Sequence, residues 1–335
     1  MKHLLKIAKL FTIAFAITAI VSCNNDDDNN GPIDTSQFTI TENAVATADL
    51  SILVQALTRV DLANTLSGTG PFTVFAPTND AFLQLLTDLG ATSLDDISDE
   101  DLTDILLNHV IAGTTTSGDL TTLGAGYVST LSTAGPGDTN ISLYFNVGNG
   151  VNINGGPGNG GATVTTPDIP ASNGVIHIVN SVITLPNVVN FALADPNLQI
   201  LVAALTRDDQ PDFVGILSGT TNSPFTVFAP QDQAFADLLV ELEAGSLDDI
   251  DTETLEATLN YHVVANANVR STGLSDDLTV TTLGGAIKAN VTGGPTLTDA
   301  NERVSNILTT ALNIQASNGV IHQIDKVILP PLNVE

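Results

Sequence analysis

One cysteine, Cys23, and no tryptophan occur anywhere in the chain, and lysine plus arginine number nine against 37 acidic residues. A solitary cysteine excludes a disulfide framework and any thiolate metal cluster. Aromatic residues make up only 4 %, which weakens the case for a carbohydrate platform of stacked rings. Three of the nine basic residues (Lys2, Lys6 and Lys9) precede the first apolar run. The chain beyond that run keeps six basic against 37 acidic residues, a formal charge of −31. Such a surface repels phosphate backbones, so nucleic acid and anionic lipid are poor partner candidates. The catalytic signatures G-x-S-x-G and H-E-x-x-H are missing, and no cysteine is placed to act as a nucleophile. The acidic pairs Asp95/Asp96 and Asp248/Asp249 sit in polar connectors, where solvated carboxylates are expected, so no glycosidase pair is indicated. The reading is of a non-enzyme with no cofactor and no metal.

What the chain does have is 43 % hydrophobic content, ample for real cores, so the acidity belongs to the surface and not to disorder. The three lysines and the run "LFTIAFAITAIV" form the charged and apolar regions of a secretory signal, too short to span a bilayer. It ends in "IVSC", which resembles the bacterial lipobox, with Ile20, Ser22 and Cys23 in place. That resemblance implies a signal peptide over 1–22 and lipid attachment at Cys23, which would hold the protein on a membrane. Residues 23–35 are almost free of apolar side chains and read as an acidic flexible tether. Acidic residues just after the lipidated cysteine resemble the surface-export tag of Bacteroidetes-type lipoproteins. The expected location is therefore the bacterial outer membrane, with the body displayed outward. Asp26, Asp28, Asn30 and Gly31 fit the opening of a calcium loop, but position 12 falls on Gln37 where a bidentate Glu is needed.

The body is written twice. "PFTVFAPTNDAF" begins at Pro71 and "PFTVFAPQDQAF" at Pro224. "ILVQALTR" at Ile52 returns as "ILVAALTR" at Ile200, and "LSG" at Leu66 returns at Leu217. "NHVI" at Asn108 returns as "YHVV" at Tyr261, and "ASNGVIH" at Ala171 returns at Ala316. The order is kept while the offset drifts between 145 and 153. That period is far above a solenoid repeat and suits a whole domain. Two like domains over 36–185 and 187–331 follow, each of net charge −13.

Within a copy, Leu50, Leu53, Val54, Leu57 and Leu62 share one face of a helix over Asp49–Leu62. "FTVFA" is a short strand stopped by Pro77, and Thr78 or Asn79 caps a helix through Leu89. "SDEDLTDILLNHVI" opens with Ser98 and Asp101 in capping-box spacing and turns Leu102, Ile105, Leu106 and His109 inward. After Gly113 the pattern alternates, as in "ISLYFNV" and "VNIN", and closes on "GVIHIVNSVITL", read as one long strand before Pro186. Helices lead and strands follow, which is an α+β plan. The segments "TVFAPTNDAF", a His-Val dipeptide ending a helix, and "SNGVIHIVNSVITLP" resemble the hallmarks of the fasciclin domain. The resemblance covers nearly all of 36–331 in two copies. It implies a small twisted β-sandwich or wedge packed with helices, and a role in adhesion.

Four histidines stand at two equivalent positions, His109 with His262 and His177 with His322. Zinc would want further ligands that do not recur beside them, so buried imidazoles bonded to backbone are the expectation. The resemblance implies a receptor-recognition segment at Pro167, Asp168 and Ile169, replaced by Asn313 and Ile314 in copy two. It also carries a tyrosine-histidine adhesion motif onto Tyr261 and His262, while Asn108 takes the tyrosine's place in copy one. "GNGVNINGGPGNGG" (148–161) lacks the lysine of a phosphate cradle and reads as a hairpin with a glycine-rich tip. Arg59 and Arg207, at matching helix ends, read as dipole partners or ion pairs. The functional expectation is a lipid-anchored adhesion protein binding an extracellular protein or polymer without covalent chemistry. The alternative is a polysaccharide- or matrix-polymer-binding module of the envelope.

Overall fold

In the computed structural model, which describes residues 34–331, each copy places a cap of short helices before a curved sheet. The signal-like segment, Cys23 and the tether up to Ile33 lie outside the described residues. Copy one runs α1 (Ile40–Ala46), α2 (Ser51–Arg59), α3 (Leu62–Ser67), β1 (Phe72–Pro77), α4 (Asn79–Asp88) and α5 (Asp99–Leu107). It continues through β2 (Val110–Ala112), α6 (Ser117–Leu123), β3 (Ala125–Ser129), β4 (Ser142–Gly148), β5 (Gly150–Ile153), β6 (Ala162–Ala171) and β7 (Gly174–Val179). Copy two repeats the order, except that a 3-10 turn at Ser271–Gly273 replaces α6, with α7 (Val188–Ala194), α8 (Gln199–Leu205), α9 (Phe213–Ser218), β8 (Phe225–Pro230), α10 (Asp232–Glu241) and α11 (Thr252–Tyr261). Its strands are β9 (Val263–Val264), β10 (Leu278–Thr281), β11 (Ala286–Asn290), β12 (Thr296–Thr298), β13 (Val304–Asn306), β14 (Ile314–Ala316) and β15 (Gly319–Ile324).

The repeated "FTVFAP" is the strand that carries the sheet. β1 pairs in parallel with β7, and β8 pairs in parallel with β15. Both members of each pair are covered on two faces, which is why their sequences are continuously apolar and do not alternate. Copy one has one seven-stranded sheet in the order β2-β1-β7-β6-β5-β4-β3. A bridge between Ile111 and Thr130 brings its two edges together. β6 makes this possible by bending through two register shifts, at Val164/Thr166 and Thr166/Ile169. In copy two the matching path is interrupted by a 3-10 turn at Thr309–Ala311, leaving two four-stranded sheets joined by a bridge from Ile307 to Ile324.

Three local expectations are corrected. The helix read over Asp49–Leu62 breaks at Asp61, whose left-handed φ of 58° turns the chain into α3; its carboxylate accepts from Asn64 2.7 Å away. The strand read through "GVIHIVNSVITL" ends at Val179, because the following backbone pairs with side chains: Ile183 N–H donates to His109 Nε2 at 2.8 Å. The glycine-rich run is not one hairpin. β4 and β5 turn tightly between Gly148 and Gly150, and Gly155–Gly161 forms a separate loop folded against α7.

That loop belongs to a seam between the copies. Asn159 and Asn190 exchange amide hydrogen bonds, with Asn159 Nδ2 donating to the Asn190 carbonyl at 2.8 Å and Asn190 Nδ2 to Asn159 Oδ1 at 3.1 Å. A Cβ on Gly155, at φ 79°, would sit 3.3 Å from Ala194. Tyr127 and Tyr144, opposed on β3 and β4, pack on Phe191 of α7 (Tyr127 ring centroid 4.8 Å from Tyr144 and 5.8 Å from Phe191). Tyr144 is counted in the buried core of copy two. Tyr127 Oη donates to the buried Asp195 at 2.8 Å, Gln323 Nε2 donates to the same carboxylate at 2.6 Å, and Gln231 holds Gln323 at 2.8 Å. Burial and the Asp195 charge raise the Tyr127 hydroxyl well above its ordinary pKa, so it stays a proton donor. From Thr35 onward the chain clusters as one unit.

Candidate functional site

Each histidine is a two-ended backbone staple. His109 follows α5, and His262 follows α11. Nδ1–H donates to the carbonyl one turn back, Ile105 or Thr258, at 2.7 Å in both copies. Nε2 accepts from Ile183 N–H at 2.8 Å or Ile328 N–H at 3.1 Å. A backbone N–H can only donate, so these rings carry their proton on Nδ1. His177 and His322 have the opposite arrangement. Nδ1 accepts from Asp168 N–H at 3.1 Å or Asn313 N–H at 3.3 Å, and Nε2–H donates to Thr115 at 2.9 Å or Val269 at 2.8 Å. Their rings stack on Phe75 and Phe228. Burial drives His109, His262 and His322 down to about 4, and lowers His177 as well. With both nitrogens of every described histidine engaged, none has a lone pair free to bind a metal or abstract a proton.

Asp168 lies exposed at a left-handed φ of 60°. Its carboxylate accepts from Ser117 N–H at 2.7 Å and from the Ser117 hydroxyl, holding the start of α6. Serine, aspartate and histidine thus meet, but not as a catalytic triad: His177 is spent on Asp168 N–H and the Thr115 carbonyl, and no imidazole nitrogen reaches Ser117. Copy two repeats the bracket without charge, as Asn313 accepts from Ser271 N–H at 2.8 Å and donates to its hydroxyl at 2.7 Å. Ile169 is half-buried, opposite Ile176 on β7, and packs on the core of copy one. Its side chain is therefore given to packing, which corrects the recognition role that the resemblance implied for it.

Tyr261 and His262 are likewise corrected as recognition residues. Tyr261 is 1 % exposed, its ring fills the space above Gly284 and Gly285, and its hydroxyl donates to the Ala286 carbonyl at 3.0 Å. His262 is buried beside it. Asn108 in copy one stands in the same buried place and donates to the Thr184 carbonyl at 3.0 Å.

The remaining repeated residues also serve as fasteners. The asparagine of "SNG" donates to two carbonyls at the end of the third helix, Leu66 and Gly68 for Asn173, Leu217 and Gly219 for Asn318. Its oxygen accepts from the first helix, Ile40 N–H at 2.9 Å or Val188 N–H at 3.0 Å. Gly174 and Gly319 follow because a Cβ there would lie 1.9 or 2.2 Å from the carbonyl oxygen of Phe72 or Phe225. Arg59 and Arg207 reach the carbonyls of Leu94 and Ile97, and of Leu247 and Ile250, and pair with Asp99 and Asp209 at 2.6 Å.

Open concave surface lies elsewhere, around α5. The end of α4, the connection from Gly90 to Asp96, one face of α5 and Leu185 enclose a groove of about 780 Å³. Its apolar wall includes Leu89, Ala91, Ile105 and Leu185, with Asp96 and Asp101 at the rim. A second hollow of about 680 Å³ shares Leu185 and is bordered by Glu100, Asp104 and Asp138 on α5 and the facing loop. Sequence reasoning did not find this surface, since the stretch 85–105 becomes concave only where the fold brings 133–138 and Leu185 against it. In copy two, α11 carries Thr254 and Ala257 where α5 has Asp101 and Asp104, and the basic residues sit elsewhere. Arg303 and Lys326 both bind Glu241, at 2.5 and 2.9 Å, and Lys326 is the leading cause of that carboxyl's lowered pKa.

A family profile described as "Fasciclin domain" matches residues 48–186 and 196–330. Protein sll1483 of Synechocystis is 40 % identical over 152 residues, 45 % of this chain and 76 % of that protein. Human periostin is 28 % identical over 278 residues, 80 % of this chain and 29 % of periostin. The fold is similar to that of a FAS1 domain pair from the insect cell adhesion molecule fasciclin I. The TM-score is 0.53 at 20 % identity, covering 86 % of this chain and 98 % of that one.

Proposed function

The chain belongs to the fasciclin domain family, and from that premise we propose that it is a lipid-anchored adhesion protein of the bacterial envelope, binding an extracellular partner without covalent chemistry. Proteins of this family generally serve cell adhesion and interaction, and the domain is not a catalytic one. The observation that carries the reading is the tandem itself: two complete fasciclin domains locked through a common seam, as one firm body for surface contact. Weak recognition multiplied over many tethered molecules gives avidity without any single strong site.

The anchor is part of the same proposal. Cys23 takes the lipid, the acidic tether gives reach, and the body stands outside the outer membrane. Intact-mass measurement of the mature protein should show a chain beginning at Cys23 with added acyl mass; an unmodified N-terminus would remove the anchor. Deleting the gene should reduce attachment of cells to surfaces or to other cells, with recovery when the full gene is restored. Unchanged attachment in the deletion strain would refute adhesion. Retention of the protein on a panel of polysaccharides would instead support the polymer-binding alternative.

A further inference from the structure

We infer that the groove beside α5 in copy one docks a cationic polypeptide segment, one that presents an apolar side chain between lysines or arginines. The proposal rests on the non-covalent binding reading above and adds the chemistry of the partner. Three observations carry it. The groove is large enough for several side chains, and Leu89 stands 57 % exposed at its wall, beside Ala91, Ile105 and Leu185. A wall of that kind favours burial of an apolar group. Around it the charge is of one sign: Asp101 on one face of α5, Glu100 and Asp104 on the other, and Asp138 across the second hollow. Copy one contains a single basic residue, Arg59, and it is spent on Asp99 and two carbonyls. The groove thus has apolar surface and uncompensated negative charge together, which selects a partner with the complementary pair of features.

The contrast between the copies argues that this is a property of copy one alone. At the matching positions of copy two, α11 carries Thr254 and Ala257 where α5 carries Asp101 and Asp104, so the acidic border is thinned there. The chain's own tether is not the occupant, since "NNDDDNN" carries the same sign as the groove.

The test is fluorescence anisotropy of the full-length protein with a labelled peptide, Lys-Lys-Leu-Leu-Lys-Lys, followed by methyl NMR. Binding should perturb the methyl groups of Leu89, Ala91, Ile105 and Leu185 and weaken as salt rises. The paired variant Glu100→Gln with Asp104→Asn should weaken it at least fivefold. Both changes are isosteric, and the amide oxygen of the second can still accept the Ser132 hydroxyl that Asp104 now holds. The same loss of charge at Asp208→Asn with Asp248→Asn, in a polar hollow of copy two, should weaken it less than twofold. Leu89→Gln, at an exposed position, should weaken it at least threefold. Equal weakening by the two charge pairs would overturn the proposal, since it would mean general attraction to an acidic protein. So would equal affinity for a peptide with Gln replacing Lys, equal affinity for spermine, or methyl shifts confined to other surfaces. Failure here leaves the attachment result of a deletion strain untouched, so the two readings stand or fall separately.

Discussion

Replacing Asp168 separates a fastener from a recognition residue. Its carboxylate takes two hydrogen bonds from Ser117 while its backbone sits at φ 60°. Asp168→Ala removes both bonds and places a plain Cβ in the left-handed region. The side chain is 40 % exposed, so water recovers part of the loss and the bonds are worth about 1–2 kcal/mol. The backbone conformation adds about 1 kcal/mol. Together these give about 2–3 kcal/mol, or a fall of roughly 5 °C or more in a domain of this size. Asp168→Asn should shift the midpoint by less than about 2 °C, because Asn313 already makes the equivalent bracket to Ser271. Asp168→Gly should fall between, recovering the backbone part alone. Calorimetry on the intact protein reads all three. If Asn is as damaging as Ala, the negative charge holds the loop, and the hydrogen-bond account fails. If Ala costs nothing, the bracket has no weight. Any loss of partner binding by the Asn variant then measures charge at an unaltered loop.

Acid should weaken the fold through the histidines. His109, His262 and His322 sit at about 4 when folded against about 6.5 unfolded. The unfolded chain therefore binds more protons between those values, so stability is complete above pH 6.5 and is lost as pH falls toward 4. Denaturant midpoints measured from pH 7.5 to 4.5 should decline by the equivalent of several kcal/mol, and a flat profile would contradict the staple geometry. Tyr127→Phe leaves the buried Asp195 short of one donor and should cost about 1–3 kcal/mol, read by urea unfolding; no change would show that the seam does not use that bond. Asn318→Ala loses three hydrogen bonds at a buried site and should cost about 2–4 kcal/mol, while a negligible cost from the isosteric Asn318→Asp would point to shape and not to its amide donors.

The duplicated segments were readable because each copy needs the same fasteners. Asn173 and Asn318, Gly174 and Gly319, and the histidine pairs recur since the same backbone groups must be paired twice. The seam was not readable, because Tyr127, Tyr144 and Asp195 each act once and leave no echo in the other copy. The two tyrosines do stand at positions that become opposed on adjacent strands, yet that register is set across the long connection 130–141 and not by composition. Tyr261 was misread for the converse reason. A tyrosine beside a buried histidine looks like surface chemistry until Gly284 and Gly285 are seen to leave it room underneath. The groove around α5 is closed where Thr184 and Leu185 return to the stretch 85–105, a meeting that periodicity does not encode.

Because Tyr144 of one repeat is lodged in the interior of the next, severing the chain at Pro186 would strand an oily plug on one half and an empty socket on the other. A lone half released by proteolysis at that point would carry this newly bared apolar surface into water, where it favours clumping.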